Sequence, residues 1–552
     1  MELVEPWMML LVPALVGCLL AGLSSWPVCT LLVYRYRRQI ARGMRPATIG
    51  ALAPDPTDPV GAPITAPGSS ANRVIRIQVA ERPHRDPPLV DRARRHCRRT
   101  QLLFAILGVC FGALGTSIFV IFNPEQRQPL TFLGYTLLGS WLVVPTVLAL
   151  SARRGGRSWL LWLGYLGITM FVLYLAARGS QPAAATTEPL AGLFVMVGVP
   201  LIFVVATGRR SLRGAAWLVG PVLIMLGAAL TAAGMVATDY LFDASPWGSL
   251  DWALLGVGSG LFVSCVLLVR AVARLYQAKW LGDQTLLILQ WWLVLGLWWA
   301  VLLSVARPLG AVVGILPYGS FVLLLLVALS RRATLASRRD RDQRPVRLLL
   351  LRTFGAKERS SRLLHDLTRQ WRWIGSVELI TAPDLAGETL EPDEFLDFIR
   401  GRLPERFVHD VDGLERRLAR LDLRPDRDGR YRVNELMCAD TTWQLALERL
   451  AADTDVILID LRAFTPQHPG VDHEIQRVVA LQPLSRVVAI VDRSTDEATL
   501  RTSLDRAAAT APPTSPLHAD PDPALRVVGW RSSRAGAEEV MAALAEAAAA
   551  PG

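Results

Sequence analysis

Repeated apolar stretches constrain this chain more than any other feature. Each approaches the ~20 residues that a helix needs to cross a bilayer at about 1.5 Å per residue. Nine such stretches can be read, at 7–34, 102–122, 130–151, 158–177, 189–207, 215–237, 252–274, 284–306 and 308–330. They account for the composition, in which 52% of the 552 residues are hydrophobic and 19% are charged. Soluble domains carry about a quarter charged residues. A disordered chain, a collagen and a disulfide-rich secreted module are excluded on the same grounds. The first stretch reads as a membrane helix and not as a signal peptide. Glu2 and Glu5 precede it, its apolar run is long, and Arg35, Arg37 and Arg38 follow it.

Those arginines place the end of the first stretch on the cytoplasmic side. Alternation then makes inner loops of those holding Arg153, Arg154 and Arg157, then Arg209, Arg210 and Arg213, then Arg270, Arg274 and Lys279. The outer loops hold single arginines, Arg127, Arg178 and Arg307, beside Asp239, Asp243 and Asp251. The pattern predicts a multi-pass protein of the plasma membrane with about nine spans, its N-terminus outside and its C-terminal domain cytoplasmic. The expected divisions are a first transmembrane helix (1–35), a basic, Pro-rich cytoplasmic loop (36–100), an eight-helix transmembrane region (101–330), a basic juxtamembrane linker (331–344) and a cytoplasmic domain (345–552). Within the loop, 46–72 reads as a flexible linker and 73–79 alternates like a short strand. Arg92, Arg94, Arg95, Arg98 and Arg99 are expected at the anionic leaflet. The net charge of +11 is almost all arginine flanking apolar segments. The partner it implies is the lipid bilayer and not nucleic acid, whose binders gather charge on one face. Six cysteines without a CxxC pair argue against a disulfide framework or a zinc site.

The interiors of the nine stretches contain no Asp, Glu, Lys, Arg or His. Ion-coupled transport normally needs such groups near midplane, so a proton- or sodium-driven pump is not expected, while a facilitator stays open. Gln290 reads as a hydrogen-bonding contact between helices. Trp291, Trp292, Trp298 and Trp299 share one side of a helix and suit packing or interface anchoring better than a cage for a cation. Gly108 with Gly112, and Gly256 with Gly260, suggest close helix contacts, and Pro145, Pro200, Pro221 and Pro317 suggest kinks.

Residues 345–552 change character. Apolar strands are expected at 346–351, 377–381, 456–461, 487–491 and 525–530, alternating with helices at 358–373, 440–452, 470–481, 496–508 and 535–549. The helix at 440–452 should be capped by Asp440 or Thr441. Residues 388–438 form an insertion holding two short helices and a strand-like piece at 431–437. Uniformly apolar strands alternating with helices predict a flavodoxin-like, five-stranded parallel sheet in the order 2-1-3-4-5. Ligands of such sheets bind beyond the carboxyl ends of the strands, at the switch point between strands one and three. The residues expected there are Arg352, Thr353 and Phe354 after the first strand, and Arg462 and Phe464 after the third. Glu474 is placed one position off the buried stripe of Val471, Ile475, Val478 and Val479, at its rim. It suits either a partner for the helix dipole or a carboxylate aimed into the crevice, where it would hold a sugar hydroxyl or stabilise an oxocarbenium-like centre. Arg352 and Arg462 would then take phosphates. His468, His473 and Glu474 match no strong ligand spacing, so no metal is expected.

The runs LLLLRTFG, SVELITAPDLAG, ALERLAADTDVILIDLRAF, GVDHEI and RVVAIVD together resemble a divergent Toll/interleukin-1 receptor (TIR) domain, and are similar to the related nucleoside deoxyribosyltransferase folds. The resemblance is confined to the final third of the chain. In enzymatic TIR domains a Glu early in the helix after the third strand cleaves the nicotinamide–ribose bond of NAD, and Glu474 is the matching position. Val471-Asp472-His473 stands where Trp-Cys usually precedes that Glu. The resemblance implies NAD or a related nucleotide as ligand or substrate, and self-association into a homo-oligomer. No phosphate-cradling GxGxxG or GxxxxGK[ST] motif opens a helix here. Three functions stay open: a signalling or regulatory membrane protein, a membrane-anchored NAD or nucleotide N-glycosidase using Glu474, and a facilitator-type transporter with a regulatory soluble domain.

Overall fold

The computed structural model describes residues 27–44, 74–80, 85–179 with short breaks, scattered positions between 263 and 328, and 345–352, 367–381, 392–439, 441–530 and 534–550. They fall into two compact units. One comprises Met1–Arg35, Cys97–Arg339 and Leu390–Leu396, the other Tyr36–His96, Asp340–Thr389 and Asp397–Gly552.

The first unit is helical. Its described helices are α1 (Pro88–Phe122, which begins in the other unit), α2 (Pro129–Ser140), α3 (Val143–Ser151) and α4 (Ser158–Gly179). Gly112 lets α1 and α2 meet closely, since a Cβ there would lie 2.4 Å from the Thr136 carbonyl oxygen. Gly108 lets α1 approach α3 in the same way, since a Cβ there would lie 2.8 Å from Val143. Trp292 stacks on Phe111 with ring centroids 5.8 Å apart, and Trp291 is buried beside it, so both indoles pack in the interior.

The expected count of nine spans is corrected here. Among the described residues one helix, Pro88–Ile121, is long and apolar enough to cross a membrane. The stretch 130–151 is two helices broken at Trp141 and Leu142. Pro145 causes the break, because a helical proline lacks an N–H and its ring clashes with the carbonyl four residues back, here that of Trp141. The stretch 158–177 is helical, but its apolar part, Leu160–Ala176, is shorter than a crossing helix needs. Of the others, 189–207 and 215–237 lie outside the described residues, as do most of 7–34, 252–274, 284–306 and 308–330. Gln290, Trp298, Trp299, Gly256, Gly260, Pro200, Pro221 and Pro317 fall outside them too.

The second unit is built on an all-parallel sheet of eight strands: β1 (Arg76–Val79), β2 (Leu348–Arg352), β3 (Val377–Thr381), β4 (Phe407–Val408), β5 (Val433–Cys438), β6 (Val456–Asp460), β7 (Val487–Val491) and β8 (Ala524–Gly529). Their order is β1-β8-β7-β6-β2-β3-β5-β4. Eight strands replace the five expected. The five read from 345–552 lie at the centre as β3-β2-β6-β7-β8, and both edges are extended. The insertion supplies α5 (Pro392–Ile399) and, beyond β3, β5 and β4, and the segment after the Pro-rich linker adds β1 beside β8. An apolar strand edge left open is a template for pairing. The additions close the two edges that the five-strand count leaves bare.

Alternate side chains of the central strands serve opposite layers. Leu349, Leu351, Ile457 and Ile459 pack under α6 (Val411–Leu418), α7 (Trp443–Asp453), α8 (Pro469–Leu481) and α9 (Glu497–Thr510). Leu348, Leu350, Val456 and Leu458 pack against Leu367, Trp371 and α10 (Arg534–Ala548). This two-sided burial is why the strands read as unbroken apolar runs. Thr442 is the N-cap of α7, one residue later than expected, because its hydroxyl donates to the Val408 carbonyl at 2.8 Å instead of capping the helix. The helical residues 36–43 also belong to this unit. Tyr36, Ile40 and Met44 are fully buried at helical spacing, with Tyr36 edge-on to Phe398 at 5.6 Å.

Gly375 leads into β3 with no room for a side chain. A Cβ there would sit 1.7 Å from the Val346 carbonyl oxygen at the start of β2. Gly375→Ala should therefore force these two central strands apart and lower stability by about 2 kcal/mol or more. Denaturant midpoints of the full chain measure this, and an unchanged midpoint would contradict the packing described.

Candidate functional site

In a doubly wound sheet the crevice opens where neighbouring strands feed helices on opposite faces. Here that point lies between β2 and β6, which pair with Arg352 opposite Asp460. Leu367 and Trp371, the next described residues to pack on the sheet after β2, lie in one layer, and α8, which follows β6, lies in the other.

Arg462 sits in the turn after β6, and the structure gives it a different role from the expected phosphate contact. Its Nε and Nη2 donate to the two carboxylate oxygens of Asp460 at 2.7 and 2.6 Å, and both side chains are almost wholly buried. Its guanidinium also lies over the Trp530 ring, 5.1 Å from the centroid. The backbone bends sharply here, with Ala463 at φ +60°. Asp492, at the end of β7, is drawn into the same corner. Burial would raise its pKa, but hydrogen bonds from the Ser494 hydroxyl and backbone N–H, with the Arg462 charge, hold it below the usual carboxylate range. A guanidinium already forked onto a carboxylate and stacked on an indole is committed to structure. Phe464 is 1% exposed and forms part of the core under α8. Arg352 is placed by its backbone as the last residue of β2, opposite Asp460. The Arg352 side chain, Thr353 and Phe354 lie outside the described residues.

Glu474 is the exception. α8 begins at Pro469, so Glu474 is its sixth residue, and it shares the buried side with Val471, Ile475 and Val478. It is not at the rim of the stripe: it is 4% exposed. The reason is the spacing, since residues three after Val471 and four before Val478 face the same way on a helix. Its Oε2 has no hydrogen-bond partner among the described residues. Burial pushes its pKa from 4.5 up to about 8, so the carboxyl is protonated at neutral pH. In the second turn of α8, a buried, neutral carboxyl is not a dipole partner, which is solvated and ionised.

His473 points elsewhere on α8, edge-on to Trp443 at the start of α7, with centroids 5.5 Å apart. Burial, then the charge of Arg477, lowers its pKa against the opposing pull of Glu448 and Asp472, and its Nε2 is unpartnered among the described residues. His468 accepts the Thr465 N–H at Nδ1 (3.3 Å), which folds the loop before α8 onto itself. His468, His473 and Glu474 therefore do different things, and among the described residues no three His, Cys, Asp or Glu side chains gather as a metal site would require. Cys438 is buried, its thiol pushed up to about 12, and is inert. Sequence reasoning missed Asp460 and Trp530 as the partners of Arg462. The signal was present, since residues 460 and 462 alternate onto one side of an extended segment.

The sign of the Glu474 titration gives a test. From about pH 4.5 to about 8 the folded protein holds a proton that the unfolded chain has lost, so this group makes stability fall as pH rises through that window. Glu474→Gln lacks the proton. Its stability advantage over wild type should grow between about pH 5 and pH 9, to the order of a few kcal/mol. Paired denaturation curves measure it, and a difference independent of pH would contradict the burial of an unpartnered carboxyl.

No family model, curated protein or solved structure matches this chain.

Proposed function

We propose that this chain is a membrane-associated regulatory protein whose parallel-sheet domain binds a small polar ligand of the nucleotide class beside Glu474. The observation that carries the reading is the buried Glu474 carboxyl with an oxygen left without a partner. An unmet buried polar atom costs roughly 1–3 kcal/mol, and groups with strongly displaced pKa values gather at functional sites. The central strand order β3-β2-β6-β7-β8, with its switch point at β2–β6 near the start of α8, favours a nucleotide-type site there. The same order favours the TIR and nucleoside deoxyribosyltransferase resemblance. The one helix among the described residues that is long and apolar enough to cross a bilayer favours membrane association, and the arginines at its N-terminal end favour a cytoplasmic sheet domain.

Binding is preferred to N-glycosidic cleavage because a neutral carboxyl stabilises no oxocarbenium-like centre. With a pKa of about 8, Glu474 is suited to donating a hydrogen bond from its proton or accepting one from a ligand hydroxyl or amine. The closing of Arg462 onto Asp460 removes one expected phosphate contact.

The test uses the full chain in a bilayer disc, titrated with NAD and ATP by calorimetry, with nicotinamide release followed in parallel. Saturable binding that weakens by about tenfold or more in Glu474→Gln is the expected result. Nicotinamide release abolished by that substitution would replace the proposal with the N-glycosidase. Absence of binding, or binding indifferent to Glu474→Gln, would remove the site.

A further inference from the structure

One exposed face runs along α1 and changes chemistry partway. Arg92, Arg95 and Arg99 follow one another at three- and four-residue spacing, with Arg98 alongside, and all four are exposed. The same face continues through Leu102, Ile106 and Val109, which are 61%, 51% and 41% exposed. Ala93, Thr100, Phe104 and Phe111, on the other side of the helix, are buried. The exposed face thus passes from guanidinium to alkyl between Arg99 and Leu102, over a rise of about 4.5 Å.

Arg92, Arg95, Arg98 and Arg99 have no acidic partner among the described residues, whereas Arg94 is paired with Asp86. Asp91 is the single acid in α1. Like charges three and four residues apart on a helix repel, so the stripe is destabilising by itself. A layer of phosphates relieves that repulsion, and the fork of an arginine matches a phosphate oxygen pair. The apolar continuation of the face excludes a soluble polyanion as the cover for the whole stripe.

We propose that the arginine face of α1 is a binding surface for anionic phospholipid headgroups, with the bilayer interface lying between Arg99 and Leu102. The proposal rests on the membrane association argued above and is independent of the Glu474 site.

The full chain, purified in a neutral detergent, is incubated with equal amounts of phosphatidylcholine and phosphatidylglycerol, and the lipid retained after gel filtration is quantified. Wild type should retain phosphatidylglycerol in excess, and added salt should reduce the excess. The triple variant R92Q/R95Q/R99Q should lose that preference by on the order of tenfold or more, while R92K/R95K/R99K, which keeps the charge, should retain most of it. Equal retention of both lipids by wild type, or an unaltered preference in the glutamine variant, overturns this proposal alone. A chain that stays monodisperse without detergent and retains neither lipid overturns the membrane reading and this proposal together.

Discussion

Two-sided burial of an all-parallel sheet governs the rest of the second unit. A parallel strand needs a crossover to reach its neighbour, and the crossovers here cover one face with α6 to α9 and the other with α10 and the helical residues 367–371. Neither face is left for a ligand, and the sheet edges are occupied by β1 and β4. What stays open to chemistry is the carboxyl end of the strands. There β2 and β6 end side by side, with Arg352 opposite Asp460.

Two charged groups near that opening are handled in opposite ways. Arg462 is buried and fully compensated by Asp460, with the Trp530 ring beneath it. Glu474 is buried, and among the described residues no opposite charge faces it. Removing a partner from the first would strand a charge, whereas the second avoids that cost by holding its proton. At the far end of the same strands, Arg347 is neutralised by Glu378 at 2.8 Å.

The centre of the sheet was legible because each strand is apolar on both sides, a pattern that few alternatives produce. The edges were legible only in part. The alternation at 73–79 and the strand-like piece at 431–437 mark β1 and β5 as strands, but nothing local shows that they join this sheet, since β1 lies far from β8 in sequence, and β4 has two residues, too few for periodicity to separate from loop. Glu474 was legible as a candidate, but its depth was not, since the start of α8 at Pro469 decides which residues face inward. The fate of Arg462 depended on Trp530, a contact across two strands that no local pattern carries. In the helical unit, hydrophobicity alone overcounted crossing helices. It is blind to Pro145, which breaks one apolar stretch into two short helices.

The central claim is that Glu474 is a neutral carboxyl waiting for a partner, and infrared difference spectroscopy addresses it directly. Spectra of the full chain at pH 7, wild type minus Glu474→Gln, should contain the carbonyl band of a protonated carboxylic acid, converting to carboxylate near pH 8. A carboxylate signature already complete at pH 6 would mean that the side chain is solvated or paired, and the account of the site would fall with it.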